Sequence, residues 1–250
     1  MGDQQKAIVL LSGGMDSCVC GAIARERNGA SNIALLHAMY GQRAERRERQ
    51  AFEEIADRYG VRQRLVVRLD HLRAIGGSAL TDKAIRVPEN EWEAERHEGS
   101  RIPVTYVPLR NAHFLSVGVS WAEAIGARAI LIGAVAEDGS GYPDCRPEYY
   151  RAFQELIRVG TKPETELEMV MPVIEMKKSE IIRRGRELGA QLELTWSCYQ
   201  GEDLACGNCD SCVLRLRTFT EAGIADPLLY GGGSPARPRK ATTTIGIFER

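Results

Sequence analysis

Residues 7–17 read AIVLLSGGMDS, an apolar run that ends abruptly in a polar segment with two glycines. The apolar run at residues 6–11 is typical of a buried parallel strand, and Ser-Gly-Gly marks the turn that follows it. Residues 16–27 then show a helical pattern and end in three charged residues. A strand, a glycine turn and a helix in this order predict the opening unit of an α/β fold.

Strand and helix patterns continue to alternate along the chain. Further strands are predicted at residues 33–39, 63–69, 104–108 and 129–133. Helices are predicted at residues 43–59, 111–125, 148–160, 178–188 and 213–222. This order predicts a doubly wound, Rossmann-like sheet of five parallel strands with helices on both faces. Two stretches lack periodicity, and we expect a long excursion at residues 71–101 and a polar loop at 136–147.

Length and composition limit the domain organisation. With 250 residues, of which 44% are hydrophobic, the chain is long enough for one large α/β domain and a small appended module. We expect the α/β domain over residues 1–190. A zinc-binding segment with a closing helix is expected over 191–230, and a flexible tail over 231–250.

The charges of the chain nearly cancel, because 33 basic and 34 acidic residues give a formal net charge of -1. Such a balance creates no overall field that would attract nucleic acid or an anionic membrane. No apolar run approaches the ~18–20 residues of a membrane span, and the polar N-terminus does not resemble a signal peptide. We therefore expect a cytoplasmic protein that acts on small molecules, without nucleic-acid or membrane partners.

The SGGMDS segment, residues 12–17, has the features of a site for nucleotide phosphates. Gly13 and Gly14 allow the backbone to approach an anion without a Cβ in the way. The helix that follows points its free N–H groups at the same place, and Ser12 and Ser17 add hydroxyl donors. Asp16 fits an anion site only if it holds a cation, so Mg²⁺ is predicted. The segment lacks the lysine of the Gly-x-x-x-x-Gly-Lys-Ser/Thr loop, and a plain glycine turn is the alternative.

Other polar residues follow the remaining strands and are expected at the same crevice, because ligands bind beyond the carboxyl ends of parallel strands. Tyr40 and Gln42 follow the second strand, Arg110 the fourth and Gly133 the fifth. Taken alone, Tyr40 would be a packing residue and Arg110 a surface residue. The nucleotide contacts that the sequence predicts are Leu11, Ser12, Gly13, Gly14, Met15, Asp16, Ser17, Tyr40, Gln42 and Gly133.

Four of the seven cysteines lie close together, at Cys198, Cys206, Cys209 and Cys212. In a reducing compartment such clustering indicates metal ligation rather than disulfides. Four sulfur ligands in tetrahedral geometry favour Zn²⁺, and they leave no position open for water, so the metal is structural. Small zinc sites of this kind contribute ~10–16 kcal/mol to folding. An iron–sulfur cluster uses the same ligands and remains the alternative.

The chain carries, in order, the stretches SGGMDS, YGQR, VPLRNAHFLS, AEDGSGYPDCRPEYY, KKSEIIRRGRELG, TWSCY and CGNCDSC. This order resembles the 7-cyano-7-deazaguanine synthase family of queuosine precursor synthesis, over residues 6–227. The SGGMDS segment resembles the pyrophosphate loop of the N-type ATP pyrophosphatases. The resemblance implies a sheet of the adenine nucleotide alpha hydrolase type. It also implies an ATP-dependent ligase that joins ammonia to 7-carboxy-7-deazaguanine and forms the nitrile, by adenylating first the carboxylate and then the amide.

The resemblance also implies catalytic roles for three residues. Asp16 holds Mg²⁺ and pyrophosphate together with the SGGMDS segment. Lys178 matches a family lysine and reaches the phosphates, with a solvated helix lysine as the plain alternative. Arg110 stabilises charge that develops on the α-phosphate. The family usually has a small residue where this chain has Leu109. The larger leucine narrows the crevice floor or shifts the loop.

The polar loop is expected to face the deazaguanine substrate. Asp138 and Asp144 are candidates for the donor edge of the base, Tyr142 for stacking on it, and Arg146 for pairing with its carboxylate. For each of these residues the alternative is a role in loop solubility or helix capping. Cys145 lies in the same loop, without an identifiable histidine partner.

Three rival functions share parts of this pattern. A nucleic-acid-binding module built on the cysteines is disfavoured, because Glu202, Asp203 and Asp210 surround them instead of basic and aromatic residues. An ATP-dependent tRNA-thiolating enzyme would need a cysteine in the crevice, and only Cys145 is available. An enzyme of the same fold that conjugates a deazaguanine to a protein is compatible with the sequence. A homodimer is one possible assembly.

We expect about one zinc ion per chain in the purified protein, because the four cysteines supply a complete tetrahedral ligand set. Elemental analysis of the purified chain measures the stoichiometry. Iron together with a visible chromophore would show that the cysteines hold an iron–sulfur cluster instead.

Overall fold

The computed structural model of the chain describes residues 5–91, 102–136, 138 and 141–231. The predicted tail lies outside these residues, apart from Gly231. None of the helices in the described ranges combines the length and the hydropathy that crossing a bilayer requires.

Five parallel strands form one sheet in the order β3-β2-β1-β4-β5. The strands are β1 (Ala7–Leu10), β2 (Ile33–Met39), β3 (Arg64–Arg68), β4 (Ala129–Leu131) and β5 (Glu168–Val170). At the centre of the sheet Val9 of β1 lies opposite Leu35 of β2 and Leu131 of β4. The predicted doubly wound, five-stranded parallel sheet is confirmed, with β1 in the middle and the chain crossing to either side of it.

Helices cover both faces of the sheet. They are α1 (Met15–Asn28), α2 (Glu45–Tyr59), α3 (Asp70–Ile75), α4 (Arg110–Ile125), α5 (Pro147–Gly160), α6 (Lys178–Glu187) and α7 (Asp210–Ala222). One apolar layer joins β1 to α1, α2 and α6, and Phe219 of α7 reaches it. A second layer on the opposite face joins the sheet to α4 and α5. Alternate strand residues therefore enter different layers, as a sheet buried on both faces requires.

The predicted strand at residues 104–108 is wrong. Pro103 precedes this segment and Pro108 ends it, and a hydrogen bond of 2.9 Å from Tyr106 N to Pro103 O closes a turn at its start. A proline cannot donate to a strand ladder, so the alternation of apolar residues here does not produce one. The fifth strand is Glu168–Val170, which pairs with β4, and the predicted strand at residues 129–133 is the fourth in the chain.

The predicted excursion begins with α3 and then follows the surface of α2. The guanidinium of Arg43 organises it by donating to three backbone carbonyls, those of Ala79, Asp82 and Ile85, at 2.6, 3.0 and 2.7 Å. Glu89 then forms an isolated bridge with Cys209. The segment therefore connects α2 to the cysteine-rich part of the chain.

Leu109 precedes α4 in a left-handed conformation with φ of 53°, and its side chain is 53% exposed. This conformation costs a residue with a Cβ ~1–2 kcal/mol. Glycine has no Cβ and adopts this conformation without that cost.

We therefore expect Leu109→Gly to stabilise the protein by ~0.5–1 kcal/mol, after the entropic cost of a glycine is subtracted. In a chain of this length that corresponds to a rise in Tm of about 2 °C in thermal denaturation. The matched variant Leu109→Ala keeps the Cβ and should not gain stability. Equal Tm values for the two variants would show that backbone strain is not the cause.

Candidate active site

The carboxyl ends of β1, β2 and β4 open on a cavity of about 700 Å³. Its floor is apolar and includes Leu10 at the end of β1, Leu36 within β2 and Ile132 just after β4. Polar side chains that line it include Ser12, Asp16, Ser17, Tyr40, Gln42, Glu48, Arg110, Asp138, Tyr142 and Lys178. Small-molecule sites commonly have volumes of ~300–1,000 Å³. The structure thus brings most of the predicted site residues to one cavity at the expected edge of the sheet.

The SGGMDS segment forms a compact turn between β1 and α1. The hydroxyl groups of Ser12 and Ser17 lie 3.0 Å apart, and Ser12 Oγ also accepts a bond of 3.2 Å from Gly14 N. The first turn of α1 has no side-chain cap among the described residues. Its N–H groups and the positive end of the helix dipole are therefore available to an anion in the cavity.

Close packing fixes the position of this segment. Gly13 has φ of +94°, and a Cβ added to it would lie 2.7 Å from the backbone oxygen of Glu48. A Cβ added to Gly133, just after β4, would lie 2.8 Å from Ser17 N. From a third direction Trp196 N donates to Gly13 O at 2.9 Å. Only glycine fits at the two contact points, because any side chain would push the neighbouring backbone away.

Lys178 connects the SGGMDS segment to the polar loop. Its Nζ lies 3.2 Å from Asp16 Oδ2 and 3.1 Å from Asp138 Oδ2, and its side chain is only 12% exposed. Burial opposes the charge, but the carboxylates of Asp16 and Asp138 outweigh it and raise the pKa of Lys178. The lysine is therefore a buried cation at neutral pH, beside the first turn of α1.

Arg110 packs against the residues that follow β2. Its Nη1 donates to Tyr40 OH at 3.2 Å, and the guanidinium lies 5.6 Å from the ring centroids of Tyr40 and Phe114. Burial disfavours the charge, but the interaction with Tyr40 and Asp144 raises the pKa of Arg110. Its Nε is buried without a hydrogen-bond partner in the described part of the chain. Buried donors are normally satisfied, so this atom marks a place where a ligand can bind.

The predicted substrate contacts divide into two groups. Asp138 and Tyr142 line the cavity, and Tyr142 OH is held by Thr105 Oγ1 at 2.7 Å. Asp144 is buried outside the lining, where its Oδ2 accepts a bond of 2.9 Å from the backbone N–H of Asn111. Arg146 is exposed and is also outside the lining. The substrate roles of these four residues stay predictions, and the structure adds a role for Asp144 in fixing the start of α4.

Cys145 lines the cavity as a neutral thiol. Burial, together with the negative charges of Asp144 and Asp138, raises the pKa of Cys145 to about 12. The thiolate is the reactive form of cysteine, and it is scarce at neutral pH when the pKa lies so high. This chemistry is unsuited to the sulfur transfer that the tRNA-thiolating alternative needs.

Sequence patterns did not point to Glu48, Trp196 and Tyr199, which also line the cavity. Trp196 and Tyr199 lie in the stretch TWSCY, in which only Cys198 has a predicted role. Glu48 belongs to a helix in which charged residues dominate the first two turns, so nothing in the pattern separates it from its solvated neighbours. Burial raises its pKa to about 7, although a hydrogen bond from Gln42 and the charge of Arg110 both lower it.

The sulfur atoms of Cys198, Cys206, Cys209 and Cys212 all lie within 4.8 Å of one another. The Sγ atoms of Cys206 and Cys212 are 3.9 Å apart, close to the about 3.8 Å that tetrahedral Zn–S bonds of ~2.3 Å require. Hydrogen bonds from Cys209 and Cys212, with further bonds from the backbone, hold the pKa of Cys198 well below its usual range. The residues therefore fit a tetrahedral metal, and the cluster could hold one.

The cysteine cluster supports one wall of the cavity. Trp196 packs beside the cysteines in one apolar cluster and also lines the cavity. Arg215 also belongs to the lining; its guanidinium, which is 0% exposed, pairs with Asp226 at 2.9 Å and donates to Thr195 Oγ1 at 2.8 Å. Removing one partner of such a buried pair costs ~3–5 kcal/mol. Because Trp196 packs with the cysteines and donates to Gly13 O, a metal at the cysteines would stiffen the wall that holds Gly13.

We expect Gly133→Ala to weaken ATP binding by at least ~10-fold, because the added methyl group would collide with the backbone between Asp16 and Ser17. Isothermal titration calorimetry with ATP and Mg²⁺ measures the Kd. The matched control is Gly160→Ala, since a Cβ at Gly160 meets nothing within 4 Å. Equal affinity of the two variants would show that the fit at Gly133 is not needed for nucleotide binding.

Residues 6–223 match the family model described as "Queuosine biosynthesis protein QueC". The chain is similar to the 7-cyano-7-deazaguanine synthase of Koribacter versatilis strain Ellin345, 57% identical over 229 residues, which are 92% of this chain and 94% of the relative. It is also similar to the synthase of Acidobacterium capsulatum, 55% identical over 227 residues (91% and 97%). A third such synthase, from Chlorobium phaeobacteroides, is 53% identical over 225 residues (90% and 96%). The resemblance drawn from the motifs is confirmed, and the chain belongs to the QueC family of queuosine biosynthesis proteins.

Proposed function

We propose that this chain is an ATP-dependent carbon–nitrogen ligase that converts 7-carboxy-7-deazaguanine and ammonia to 7-cyano-7-deazaguanine. Its relatives carry the name of that synthase and match almost their full length. The observation that carries the proposal is the position of Lys178, which joins Asp16 of the SGGMDS segment to Asp138 of the polar loop. A single buried cation thus contacts both the predicted phosphate site and the predicted substrate site.

The chemistry of the reaction explains why both sites must meet. A carboxylate is a poor electrophile, and ammonia does not displace its oxygen. Adenylation makes that oxygen part of a good leaving group, and ammonia then forms the amide. A second ATP adenylates the amide oxygen in the same way, and loss of this oxygen on AMP, together with the two amide protons, leaves the nitrile. Each round needs a substrate oxygen beside the α-phosphate, which the bridging position of Lys178 favours.

The residues of the cavity take separate roles in this proposal. The SGGMDS segment and the first turn of α1 bind the pyrophosphate, and Leu10, Leu36 and Phe114 offer apolar surface to the adenine. Arg110, with its unpaired Nε, stabilises charge on the α-phosphate. Asp138 accepts from the donor edge of the deazaguanine.

Two metals belong to the proposal. Asp16 would hold Mg²⁺, which neutralises charge on the pyrophosphate that leaves. The four cysteines would hold Zn²⁺ in a structural site, since all its positions are filled by sulfur.

The alternatives are weaker on physical grounds. The tRNA-thiolating reaction needs a reactive thiol, and Cys145 is neutral in the cavity. An enzyme that conjugates the deazaguanine to a protein would share this cavity. The relatives, however, are named for the synthesis of 7-cyano-7-deazaguanine. We propose free small molecules as the substrates, in the cytoplasm, with no nucleic-acid or membrane partner and with a homodimer as one possible assembly.

Incubation of the protein with 7-carboxy-7-deazaguanine, ATP, Mg²⁺ and ammonium should yield AMP, pyrophosphate and the nitrile, followed by mass spectrometry. Asp16→Ala should lower the rate at least ~10²-fold, because it removes the cation ligand, and should leave the metal content at the cysteines unchanged. Asp57→Ala is the matched control, since Asp57 is an exposed partner of Arg64 far from the cavity lining. Absence of AMP and nitrile with the unaltered protein would overturn the proposed function.

A further inference from the structure

The ammonia-dependent step needs a base inside the cavity. At neutral pH ammonia is present almost entirely as ammonium, which has no electron pair with which to attack. A group that accepts a proton must therefore lie near the place where the activated carbonyl carbon is exposed. General bases of this kind work best when their pKa is close to the operating pH.

Among the described residues that line the cavity, four carry carboxyl groups: Asp16, Glu48, Asp138 and Asp210. Asp16 and Asp138 both pair with the ammonium group of Lys178, at 3.2 and 3.1 Å. Asp210 accepts the backbone N–H of Glu91 at 2.9 Å. By contrast, Glu48 Oε2 accepts a hydrogen bond of 2.9 Å from the neutral side-chain amide of Gln42.

Glu48 is held in a defined position beside the SGGMDS segment. It lies in the first turn of α2, and its backbone oxygen packs against Gly13. Gln42, which donates to its carboxylate, is itself buried and accepts a bond of 2.8 Å from Tyr40 N. The carboxylate therefore belongs to the same wall as Tyr40, which binds Arg110.

The charges around Glu48 suit proton exchange at neutral pH. Burial raises the pKa of Glu48 to about 7; the amide of Gln42 and the positive charge of Arg110 lower it, and Glu45 on the same helix raises it. The ionised base is present above the pKa, so its ability to accept a proton increases as the pH rises through about 7.

We propose that Glu48 is the catalytic base that takes a proton from ammonium in the cavity, an inference that rests on the proposed function. The N–H bond of ammonium breaks, its electron pair stays on nitrogen, and the carboxylate becomes a carboxylic acid. The resulting ammonia attacks the carbonyl carbon of the adenylate, so that a C–N bond forms and the C–O bond to AMP breaks, with its electron pair leaving on the AMP oxygen. The nitrogen then releases one further proton to water, as does Glu48, and the amide remains.

The test separates adenylation from the ammonia step in Glu48→Gln. Exchange of labelled pyrophosphate into ATP, measured with 7-carboxy-7-deazaguanine and without ammonium, reports adenylation, and this exchange should stay within about 3-fold of the unaltered protein. Amide and nitrile formation at pH 7 should fall ~10²-fold or more, because the base is lost. The deficit should shrink towards pH 9, where free ammonia becomes abundant.

Glu53→Gln is the matched control, because Glu53 lies on the same helix but pairs with Arg49 and Arg64 outside the cavity lining. It should leave both rates unchanged. Normal nitrile formation by Glu48→Gln at pH 7, or a parallel loss of exchange and nitrile formation, would overturn the role of Glu48. If the unaltered protein itself shows no exchange, the proposed function fails, and the role of Glu48 fails with it.

Discussion

The absence of space around Gly13 and Gly133 is the constraint on which the rest of the site depends. The segment just after β4, the backbone of α2 and the segment that contains Trp196 all touch the SGGMDS segment, and the first two of these contacts leave no room for a Cβ. The sheet, one helix and the cysteine-rich segment are therefore joined at one short turn. A phosphate loop gains precision when its backbone is held from several sides, because the N–H groups then need no reorganisation to meet an anion.

The buried cationic side chains that line the cavity interact with acidic and phenolic groups of the protein itself. Lys178 lies between two carboxylates, and Arg110 interacts with Tyr40 and Asp144, so the two buried cations are compensated before any ligand enters. Incoming phosphates would compete for these same cations. In the proposed reaction, displaced carboxylates such as Asp138 become available to the substrate. Within the proposed reaction, nucleotide binding is thereby coupled to the contacts of Asp138 in the polar loop.

The parts of the fold that the sequence predicts are those with long periodic patterns or fixed spacing. The strand at residues 33–39 and the four cysteines belong to this class, since burial and the spacing of sulfur ligands leave few alternatives. The segment at residues 104–108 has the alternation of a strand, but its prolines remove the donors that a ladder needs. The true fifth strand has three residues, too few for a pattern. The sequence pattern did not indicate Glu48 as a site residue either, because its burial depends on which residues pack against α2 in the folded chain.

Glu48 has a raised pKa because it is buried and its neighbours are weak partners for the charged form. A close arginine pair would stabilise the ionised form and remove its basicity, whereas complete isolation would keep the acid protonated beyond the physiological range. The amide of Gln42 and the more distant charge of Arg110 give an intermediate environment. This arrangement also fits a site that performs two activations, because each of them releases protons from nitrogen. When the carboxyl adenylate is attacked, the ammonium nitrogen loses two protons. During the second activation the amide nitrogen loses its two protons as the nitrile forms, while Lys178 and Arg110 act on the phosphates again.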